Sequence, residues 1–521
     1  MSDPYTHRKT GTVLMIFLTV AVWASGIHAG HAARRESDHP LVKHIILFIG
    51  DGMQLAHEIA ASRYLFGRDD SLVFHRFPYR GYVATWDVST YNYWARQRSI
   101  PPFKPEHFLP WLGYDISRGG IQPYPLQTTE LDAAYLTAAA TDSASAATAW
   151  ATGHKTDTGN IAWRFGDPPN GSLSTIAEIL RRERGFAIGV VSTVPFTHAT
   201  PAAHVSHNVD RKDTIGIARE IIYTIQPDVV IGGGHPQWYG RFTYLSESDY
   251  AALKKDGVGG VYDFIERQTG IDGAVALQAA AQDAVINKKK LFGLFGGRDG
   301  NLESPQPQDR PQAPSVVRGT IENPLLKDSV SAALTLLSQE PRGFFVLFEQ
   351  GDIDWANHAN DYQRMIGTIW DLDLAVQSAI AFVNQPDDII DWSNTLLIVT
   401  ADHGNSHLRF GKRLGRGELP LQISAADAPC EAVYCGKYIY PDNEIRYASS
   451  GHTNELVRLY ALGSGIHLFE KYEGAWYSGT RIVDNTHIFN VMVEAAGVSQ
   501  PRLSKSLQRT PSVGDMPDST D

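Results

Sequence analysis

Short apolar runs that alternate with helical patterns, from about residue 44 onward, are the feature that constrains the fold of this chain most. The runs are rich in β-branched or aromatic residues and lack polar alternation, which is typical of strands buried on both faces. The strand candidates are His44–Ile49, Ala187–Val191, Asp228–Ile231, Phe344–Phe348 and Thr395–Val399. The helix candidates are Ser143–Thr152, Leu173–Arg184, Asp361–Asn384 and Thr486–Ala496. This alternation predicts an α/β fold, a three-layer α/β/α sandwich with a large, mostly parallel central sheet, in which ligands bind beyond the carboxyl ends of the strands.

Three segments interrupt the alternation. Residues 85–130 are dense in Trp, Tyr and Pro, residues 239–318 are rich in Gly, Lys and Pro, and residues 407–450 carry both cysteines. Strand-like runs resume after each segment, so we predict insertions, as loops or subdomains, within one domain of residues 30–500. The 521 residues, 43% of them apolar, suffice for a large core, whereas the polar residues 501–521 are predicted to form a disordered tail.

The amino-terminal residues 1–29 have the pattern of a secretory signal peptide. Arg8 and Lys9 precede the apolar run Val13–Trp23, and Ile27–Ala29 offers a small-residue cleavage site. We therefore predict export to the periplasm or the extracellular space, with an uncleaved anchor or a buried helix as the alternatives. No second apolar run of spanning length is apparent, so no membrane anchor is expected after cleavage.

Charge and cysteine content narrow the function classes. The formal net charge of −11 disfavours a protein that tracks nucleic-acid phosphates, because such proteins collect Lys and Arg. The chain has two cysteines, Cys430 and Cys435. Their close spacing in an exported chain favours one small disulfide loop over a zinc site, which usually needs more sulfur or a nearby His. Two free thiols are the other alternative.

Carboxylates stand at the carboxyl ends of three strand candidates. Asp51 follows the first strand, Glu349 ends the fourth and Asp402 follows the fifth. Each alone is compatible with ordinary turn or capping chemistry, but three such placements together favour a shared ligand site. Several carboxylates in one place suit divalent metal ions.

Histidines accompany these carboxylates. Asp354 and His358 are four residues apart, which on a helical turn places both side chains on one face. This spacing suits a divalent metal ion, and an exposed Asp–His pair on a helix is the alternative. Asp402 and His403 are adjacent and diverge in a regular strand, so they share a metal only if the chain turns, which the following glycine favours. His452 lies in a predicted loop, where a surface histidine is the ordinary interpretation.

The segment Thr141–Ser145 opens an alanine-rich helix candidate and places a hydroxyl nucleophile at its start. Ser143 would lie near unpaired backbone N–H groups and the positive end of the helix dipole, an arrangement that suits a phosphate or another oxyanion. An ordinary serine N-cap is the alternative. The metal-ligand residue types elsewhere in the chain favour the chemical interpretation.

Six sequence blocks resemble, in order and approximate spacing, those of the alkaline phosphatases. The blocks are Ile46–Met53, Thr141–Ala144 with Thr148–Gly153, His198–Ala202, Glu349–His358, Thr400–His403 and Gly451–Thr453. The resemblance covers about residues 44–465, and the three insertions are its least similar parts. Any one block could arise by chance, whereas six collinear blocks that carry metal-ligand residue types make the resemblance specific.

The resemblance implies two zinc ions and a third metal ion, usually magnesium. The ligands it implies are Asp354, His358 and His452 for the first zinc, Asp51, Asp402 and His403 with Ser143 for the second, and Asp51, Thr200 and Glu349 for magnesium. Arg211 matches the phosphate-clamping arginine of the family, although its position alone favours a surface arginine paired with Asp210 or Asp213. His198 and Trp355 stand where some bacterial members carry Asp and Lys, which changes the charge around the third metal.

The activity implied by the resemblance is hydrolysis of small phosphate monoesters to an alcohol and inorganic phosphate, through a phosphoserine at Ser143. Paired metals would ionise the serine and hold the leaving oxygen, while Arg211 would donate two parallel hydrogen bonds to a terminal phosphate. Residues 30–500 would then be a catalytic domain, and a homodimer is the expected assembly.

The alternatives are a superfamily relative that acts on phosphodiesters, phosphonates or sulfates, or a noncatalytic secreted protein that binds metal or phosphate. The segment around Ser143 lacks the Cys/Ser-x-Pro-x-Arg pattern of a sulfatase.

Overall fold

The computed structural model describes residues 41–123, 132–386, 389–426 and 436–499. The chain divides into two units, Met1–Asp38 and His39–Asp521, and the described residues all belong to the second. Three predictions lie outside the described residues: the signal peptide of residues 1–29, the pairing of Cys430 with Cys435, and the tail of residues 501–521.

Within the described residues, ten strands form the central sheet. In chain order they are β1 (His44–Gly50), β2 (Tyr79–Ala84), β3 (Ala187–Pro195), β4 (Val229–Gly233), β5 (Tyr262–Glu266), β6 (Lys290–Leu294), β7 (Phe344–Gln350), β8 (Thr395–Thr400), β9 (Val457–Gly463) and β10 (Ile482–Asp484). Their spatial order is β10-β2-β9-β8-β1-β7-β3-β4-β6-β5. Strand β9 runs antiparallel to both of its neighbours, and the other pairs are parallel. The predicted large, mostly parallel sheet is confirmed.

Helices and short ladders connect these strands. The α-helices are α1 (Leu55–Phe66), α2 (Val88–Gln97), α3 (Pro110–Gly113), α4 (Ile116–Gly119), α5 (Ala133–Ala138), α6 (Ser143–Thr152), α7 (Ile176–Arg184), α8 (Ala199–Val205), α9 (Thr214–Arg219), α10 (Pro236–Tyr239), α11 (Glu247–Gly260), α12 (Gly273–Asn287), α13 (Leu326–Leu337), α14 (Asp352–His358), α15 (Tyr362–Val383) and α16 (Asn485–Ala496). Val73–Arg76 and Ile466–Lys471 are 3₁₀ segments, and Glu220–Ile225 is a π-helical segment. The two-stranded ladders pair Gln306–Gln308 with Ser315–Val317, Gly404–Asn405 with His452–Thr453, Leu408–Phe410 with Ile445–Tyr447, and Ile423–Ser424 with Tyr438–Ile439.

Two helical layers cover the sheet. Helices α1, α12, α13 and α15 form one connected group, and α6, α7, α8 and α16 form another. Helix α13 of the first group and α8 of the second both pack on β3 and β7, so the two groups cover opposite faces. Every residue of β1, β7 and β8 is buried between them, which explains the uninterrupted apolar run inside each strand. The predicted three-layer architecture is therefore confirmed.

Helix α15 corrects one expectation. By length and composition it is apolar enough to cross a membrane, so the expectation of no second apolar run of spanning length is wrong. Most of its apolar window is buried inside the protein, as in the core helix of a globular domain. Its contacts with α1, α13, β1 and β7 account for that composition.

Residues 239–318 also differ from expectation, because they are not only an insertion. They supply β5 and β6 to the sheet and α12 to the layer above it. Strand β5 lies at the edge and is mostly half-buried, so Asp263 and Glu266 interrupt its sequence and leave no continuous apolar run. Residues 85–130 carry α2 to α4, and residues 407–450 carry two of the short ladders.

Candidate active site

Strand register places three carboxylates at the carboxyl edge of the sheet. Strand β1 lies between β8 and β7, with Ile49 level with Thr400 on one side and with Glu349 on the other. Asp51 and Asp402 each follow two residues beyond that level, so their side chains meet where the sheet ends. All three carboxylates are fully buried, which a protein tolerates only when they are paired, protonated or bound to a cation.

Gly52 lets the chain turn between two groups of ligand-type residues. Its φ of 69° lies in the left-handed region that favours glycine. A Cβ atom at this position would lie 2.8 Å from Asp354 Oδ1, and the Gly52 N–H donates to Asp402 Oδ1 at 2.8 Å. Any larger residue here would disturb both groups.

The first group consists of Asp354 and His358 on α14 and His452 on a short strand. Their candidate ligand atoms lie within 4.8 Å of one another. The Nε2 atom of His358 lies 3.2 Å from Asp354 Oδ2 and 3.1 Å from the Nε2 atom of His452. The Nδ1 atoms face carbonyl oxygens, at 2.7 Å from Ser450 for His358 and 2.9 Å from Thr141 for His452. A carbonyl accepts only, so each Nδ1 carries the proton and both Nε2 lone pairs point at the shared centre.

Three potential acceptor atoms that converge in this way favour a positive charge between them, which either a proton or a metal ion can supply. Although burial opposes the charge, the Asp354 carboxylate raises the pKa of His358 to about 9. A proton is thus drawn into the same place that a metal ion would take. Carboxylate and imidazole ligands from a short helix suit zinc.

The second group consists of Asp51, Asp402 and His403, whose candidate ligand atoms also lie within 4.8 Å of one another. The chain leaves β8 before Asp402, so the turn expected between this residue and His403 is present. His403 Nε2 lies 3.1 Å from Asp402 Oδ2 and 3.7 Å from Asp51 Oδ1. Burial and the carboxylates around it, that of Asp402 above all, raise the pKa of Asp51 well above its usual value. This excess of negative charge is what a bound cation would neutralise.

Three buried oxygen atoms form a third candidate ligand group. Asp51 Oδ2, Thr200 Oγ1 and Glu349 Oε1 have no well-formed hydrogen bond among the described residues, and the side chains of Asp51 and Thr200 both lie close to the Glu349 carboxylate. Buried polar atoms are rarely left unsatisfied, and an all-oxygen set of this kind suits magnesium. Burial raises the pKa of Glu349 to about 7, and Ser192 donates a hydrogen bond to its other oxygen.

Ser143 is the first residue of α6, at the amino terminus that the sequence predicts. Asp142, and not Ser143, is the N-cap, since its side chain accepts from the Ser145 N–H at 3.0 Å. The alternative of Ser143 as a cap is therefore wrong. Its hydroxyl faces the second group, with Oγ 3.3 Å from His403 Nε2 and 3.5 Å from Asp51 Oδ1.

Arg211 lines the same cavity as Ser143. Its Nη1 donates to Asp142 Oδ2 at 3.0 Å, and its Nη2 donates to His198 Nε2 at 3.2 Å. The ion pair is thus with the cap of α6, and the alternative of pairing with a neighbouring aspartate in its own loop is wrong. Although burial opposes it, Arg211 holds the pKa of Asp142 below its usual value, while burial and Arg211 lower the pKa of His198 to about 3. His198 and Trp355 are neighbours, with ring centroids 6.0 Å apart.

A cavity of about 390 Å³ opens over these groups. Its lining residues are Ser143, His198, Arg211, Asp354, Trp355, His358, Ala359, Lys437 and His452. This size lies within the range of sites that bind small organic ligands. The cavity can therefore hold more than a phosphate group.

Three residues of the site were not predicted from the sequence. Asp142 joins Arg211 to α6, Asn405 donates to Asp354 Oδ1 at 2.6 Å, and Lys437 lines the cavity. The position of Asp142 directly before a helix is a recognisable capping signal. Asn405 and Lys437 depend on long-range packing and have no such local signal.

The fold and the site together define a class, namely α/β proteins that gather several metal-ligand side chains and one serine at the carboxyl edge of a parallel sheet. The amino-acid sequence matches the family model described as "Alkaline phosphatase" over residues 124–440, which is more than half of the chain. The chain belongs to the alkaline phosphatase family.

Individual relatives agree with this assignment. "Alkaline phosphatase 3" of Bacillus subtilis (strain 168) is 30% identical over 277 residues, which are 52% of this chain and 50% of that protein. The match therefore spans half the length of this relative. "Alkaline phosphatase" of Escherichia fergusonii is 28% identical over 391 residues, 69% of this chain and 74% of that protein.

A solved structure supports the fold. The alkaline phosphatase of Thermus thermophilus superposes with a TM-score of 0.57 at 21% sequence identity, over 88% of this chain and 92% of that one. At this identity the likeness shows a shared fold.

Proposed function

We propose that this protein hydrolyses small phosphate monoesters to an alcohol and inorganic phosphate through a phosphoserine at Ser143. The observation that carries the proposal is the position of its Oγ atom. The atom lies at the start of α6, 3.3 Å from His403 in the second ligand group, and it lines the cavity that Arg211 also lines. Membership in the alkaline phosphatase family supports the same reaction class.

The ligand groups fit two zinc ions and one magnesium ion. The two groups that contain histidine offer mixed nitrogen and oxygen ligands, as zinc prefers, and the group of Asp51, Thr200 and Glu349 offers oxygen alone. When bound, such metals supply charge stabilisation to the attacking and leaving oxygens of an in-line displacement.

The proposed reaction has two steps, transfer of the phosphoryl group to Ser143 and its transfer from Ser143 to water. Ser143 Oγ forms a bond to phosphorus as the bond to the alcohol oxygen breaks, and the alcohol leaves with a proton. Water then attacks the phosphoserine, the Oγ–phosphorus bond breaks, and Ser143 regains its proton as inorganic phosphate leaves. Two in-line displacements predict net retention at phosphorus. The Asp142 cap occupies the Ser145 N–H, so the N–H groups of Ser143 and Ala144 at the start of α6 are the ones that would face the phosphate in both steps.

Arg211 provides the preference for monoesters. Two of its five N–H groups are engaged by Asp142 and His198, so others remain to face a substrate. A terminal phosphate can accept two parallel hydrogen bonds from a guanidinium, whereas the second substituent of a diester displaces one of them. Phosphate monoesters are therefore the proposed substrates, and diesters are the comparison that tests this assignment.

The test uses the purified chain and an aryl phosphate monoester. We expect phosphate release that stops on chelation, returns with zinc and magnesium, and is abolished by Ser143→Ala. The matched control is Ser174→Ala, since Ser174 is exposed and lies outside the cavity. Acid quenching during turnover should trap phosphate on the peptide that contains Ser143, and metal analysis of the same sample should give two zinc ions and one magnesium ion. Full activity of Ser143→Ala, or faster turnover of a diester than of the monoester, would refute the proposal.

We also propose that the protein is exported and forms a homodimer. The amino-terminal sequence supports export to the periplasm or the extracellular space, and the family resemblance supports a homodimer. Fractionation of cells and sedimentation of the purified protein test the two separately.

A further inference from the structure

The cavity carries a second cationic side chain besides Arg211. Lys437 belongs to the segment of residues 407–450, yet it lines the same cavity as Ser143 and Trp355. Within the described ranges, no carboxylate lies within ion-pair distance of its ammonium group, whereas Arg211 is paired with Asp142. Lysine carries a compact charge on a flexible stem, which suits contact with an anion that is not held in one geometry.

The backbone around Lys437 is fastened to the end of α14. The Lys437 N–H donates to the carbonyl oxygen of Ala359 at 2.8 Å, and its own carbonyl accepts from Ala425 at 2.8 Å. A Cβ atom on Gly436 would lie 2.6 Å from the same Ala359 oxygen, so this backbone approaches α14 as closely as only glycine permits. The position of Lys437 is therefore fixed by the helix that also carries His358.

The two cations are anchored to different walls of the cavity. Arg211 is held by Asp142 at the start of α6 and by His198 at the start of α8. Lys437 is held at the carboxyl end of α14, beside Ala359. Since the phosphate must lie between Ser143 and Arg211 for transfer to occur, the side chain of Lys437 is left to face the remainder of the substrate.

We propose that Lys437 forms a subsite for the alcohol part of the substrate and favours phosphate monoesters that carry a second anionic group, such as a carboxylate or another phosphate. The proposal rests on the monoesterase function proposed above and deepens it by naming a substrate class. A cavity of about 390 Å³ has room for such an alcohol beside the phosphate.

The experiment compares phenyl phosphate with 4-carboxyphenyl phosphate, which differ by one carboxylate. The measured quantity is the ratio of kcat/KM for the carboxylated substrate to kcat/KM for the neutral one, in the wild type and in Lys437→Met. We expect Lys437→Met to lower this ratio by roughly two- to fivefold, the range of exposed ion pairs, and Lys437→Arg to retain it. Added salt should lower the ratio of the wild type and leave that of Lys437→Met unchanged.

Lys412→Met is the matched control. Lys412 lies in the same segment, is exposed, pairs with Glu444 and does not line the cavity, so its loss changes the net charge equally and should leave the ratio unchanged. An unchanged ratio in Lys437→Met would overturn the proposal. If kcat/KM also fell equally for both substrates, the ammonium would act on the transferred phosphate instead. Failure of the wild type to hydrolyse either substrate would instead remove the monoesterase function itself.

Discussion

Replacement of Arg211 by alanine is the sharpest test of the phosphate-binding arrangement. The side chain is 22% exposed, and Asp142 and His198 each accept one of its N–H groups. A monoester should accept two further hydrogen bonds, each worth about 1.5–3 kcal/mol when charge-assisted. Their loss amounts to about 3–6 kcal/mol, so Arg211→Ala should lower kcat/KM for a monoester by roughly 10²- to 10⁴-fold. A diester that accepts one such bond should lose only roughly 10- to 150-fold.

The assay measures kcat/KM for an aryl phosphate and for its methyl ester in the wild type and three variants. Arg211→Lys keeps the charge but not the planar pair of donors, so its loss should fall between those of the wild type and Arg211→Ala. Arg219→Ala is the control, because Arg219 is 60% exposed, contacts Asp249 and does not line the cavity. Circular dichroism checks that each variant is folded. An equal loss for both substrates in Arg211→Ala would refute the two-bond reasoning.

Three further changes test the metal site, the core and the pH response. Asn405→Ala removes the donor to Asp354 Oδ1, so zinc affinity should fall by roughly 10- to 100-fold in a chelator competition; unchanged affinity would contradict this role. Leu347→Ala, in the fully buried centre of β7, should lower the free energy of unfolding in urea by about 2–5 kcal/mol, and a loss below about 1 kcal/mol would show that the site repacks. Although burial opposes the charge, two glutamates raise the pKa of His207 to about 10. The ion pairs of protonated His207 therefore stabilise the fold fully below about pH 6.5, and this contribution is lost as the pH rises through about 10. The stability deficit of His207→Gln should therefore shrink from about pH 6 to about pH 10.5, and a constant deficit would contradict the assignment.

The fully buried part of the fold is the part that the sequence predicts well. Strands β1, β7 and β8 lie in the middle of the sheet, and burial on both faces leaves an uninterrupted apolar run in each. Helix α6 spans the residues predicted for it because Asp142 caps its start and Gly153, in the left-handed region, ends it. Such local signals do not depend on distant partners.

The edge of the sheet is less predictable. Strand β5 is half-buried over four of its five residues and β10 has three residues, so neither shows a long apolar run. Nothing in the composition of β9 reveals that it runs antiparallel to β8, since direction follows from the path of the connecting chain. Strand-end carboxylates could be placed together from the sequence because parallel strands end at one edge, whatever their order.

The candidate site shows the same division between local and long-range information. Asp354 and His358 are brought together by one helical turn, and this contact follows from their spacing. Lys437 reaches the cavity only because its backbone docks on Ala359, which lies far away in the chain. No periodicity in the loop encodes that contact. The family resemblance and the spacing of its motifs therefore indicate the residues proposed to hold the phosphate, but not Lys437, which is proposed to face the alcohol.

The two ligand groups that contain histidine are parts of one unit, because a short ladder joins them. Asn405 pairs with His452 in that ladder, and its side chain donates to Asp354 Oδ1. His403, two residues before Asn405, stacks its ring on that of His452 with centroids 3.6 Å apart. A shift of either histidine therefore moves a residue of the other group. The spacing of the two ligand groups is thereby held by backbone pairing as well as by side chains, which is what the proposed in-line displacement would require of two metal ions bound there.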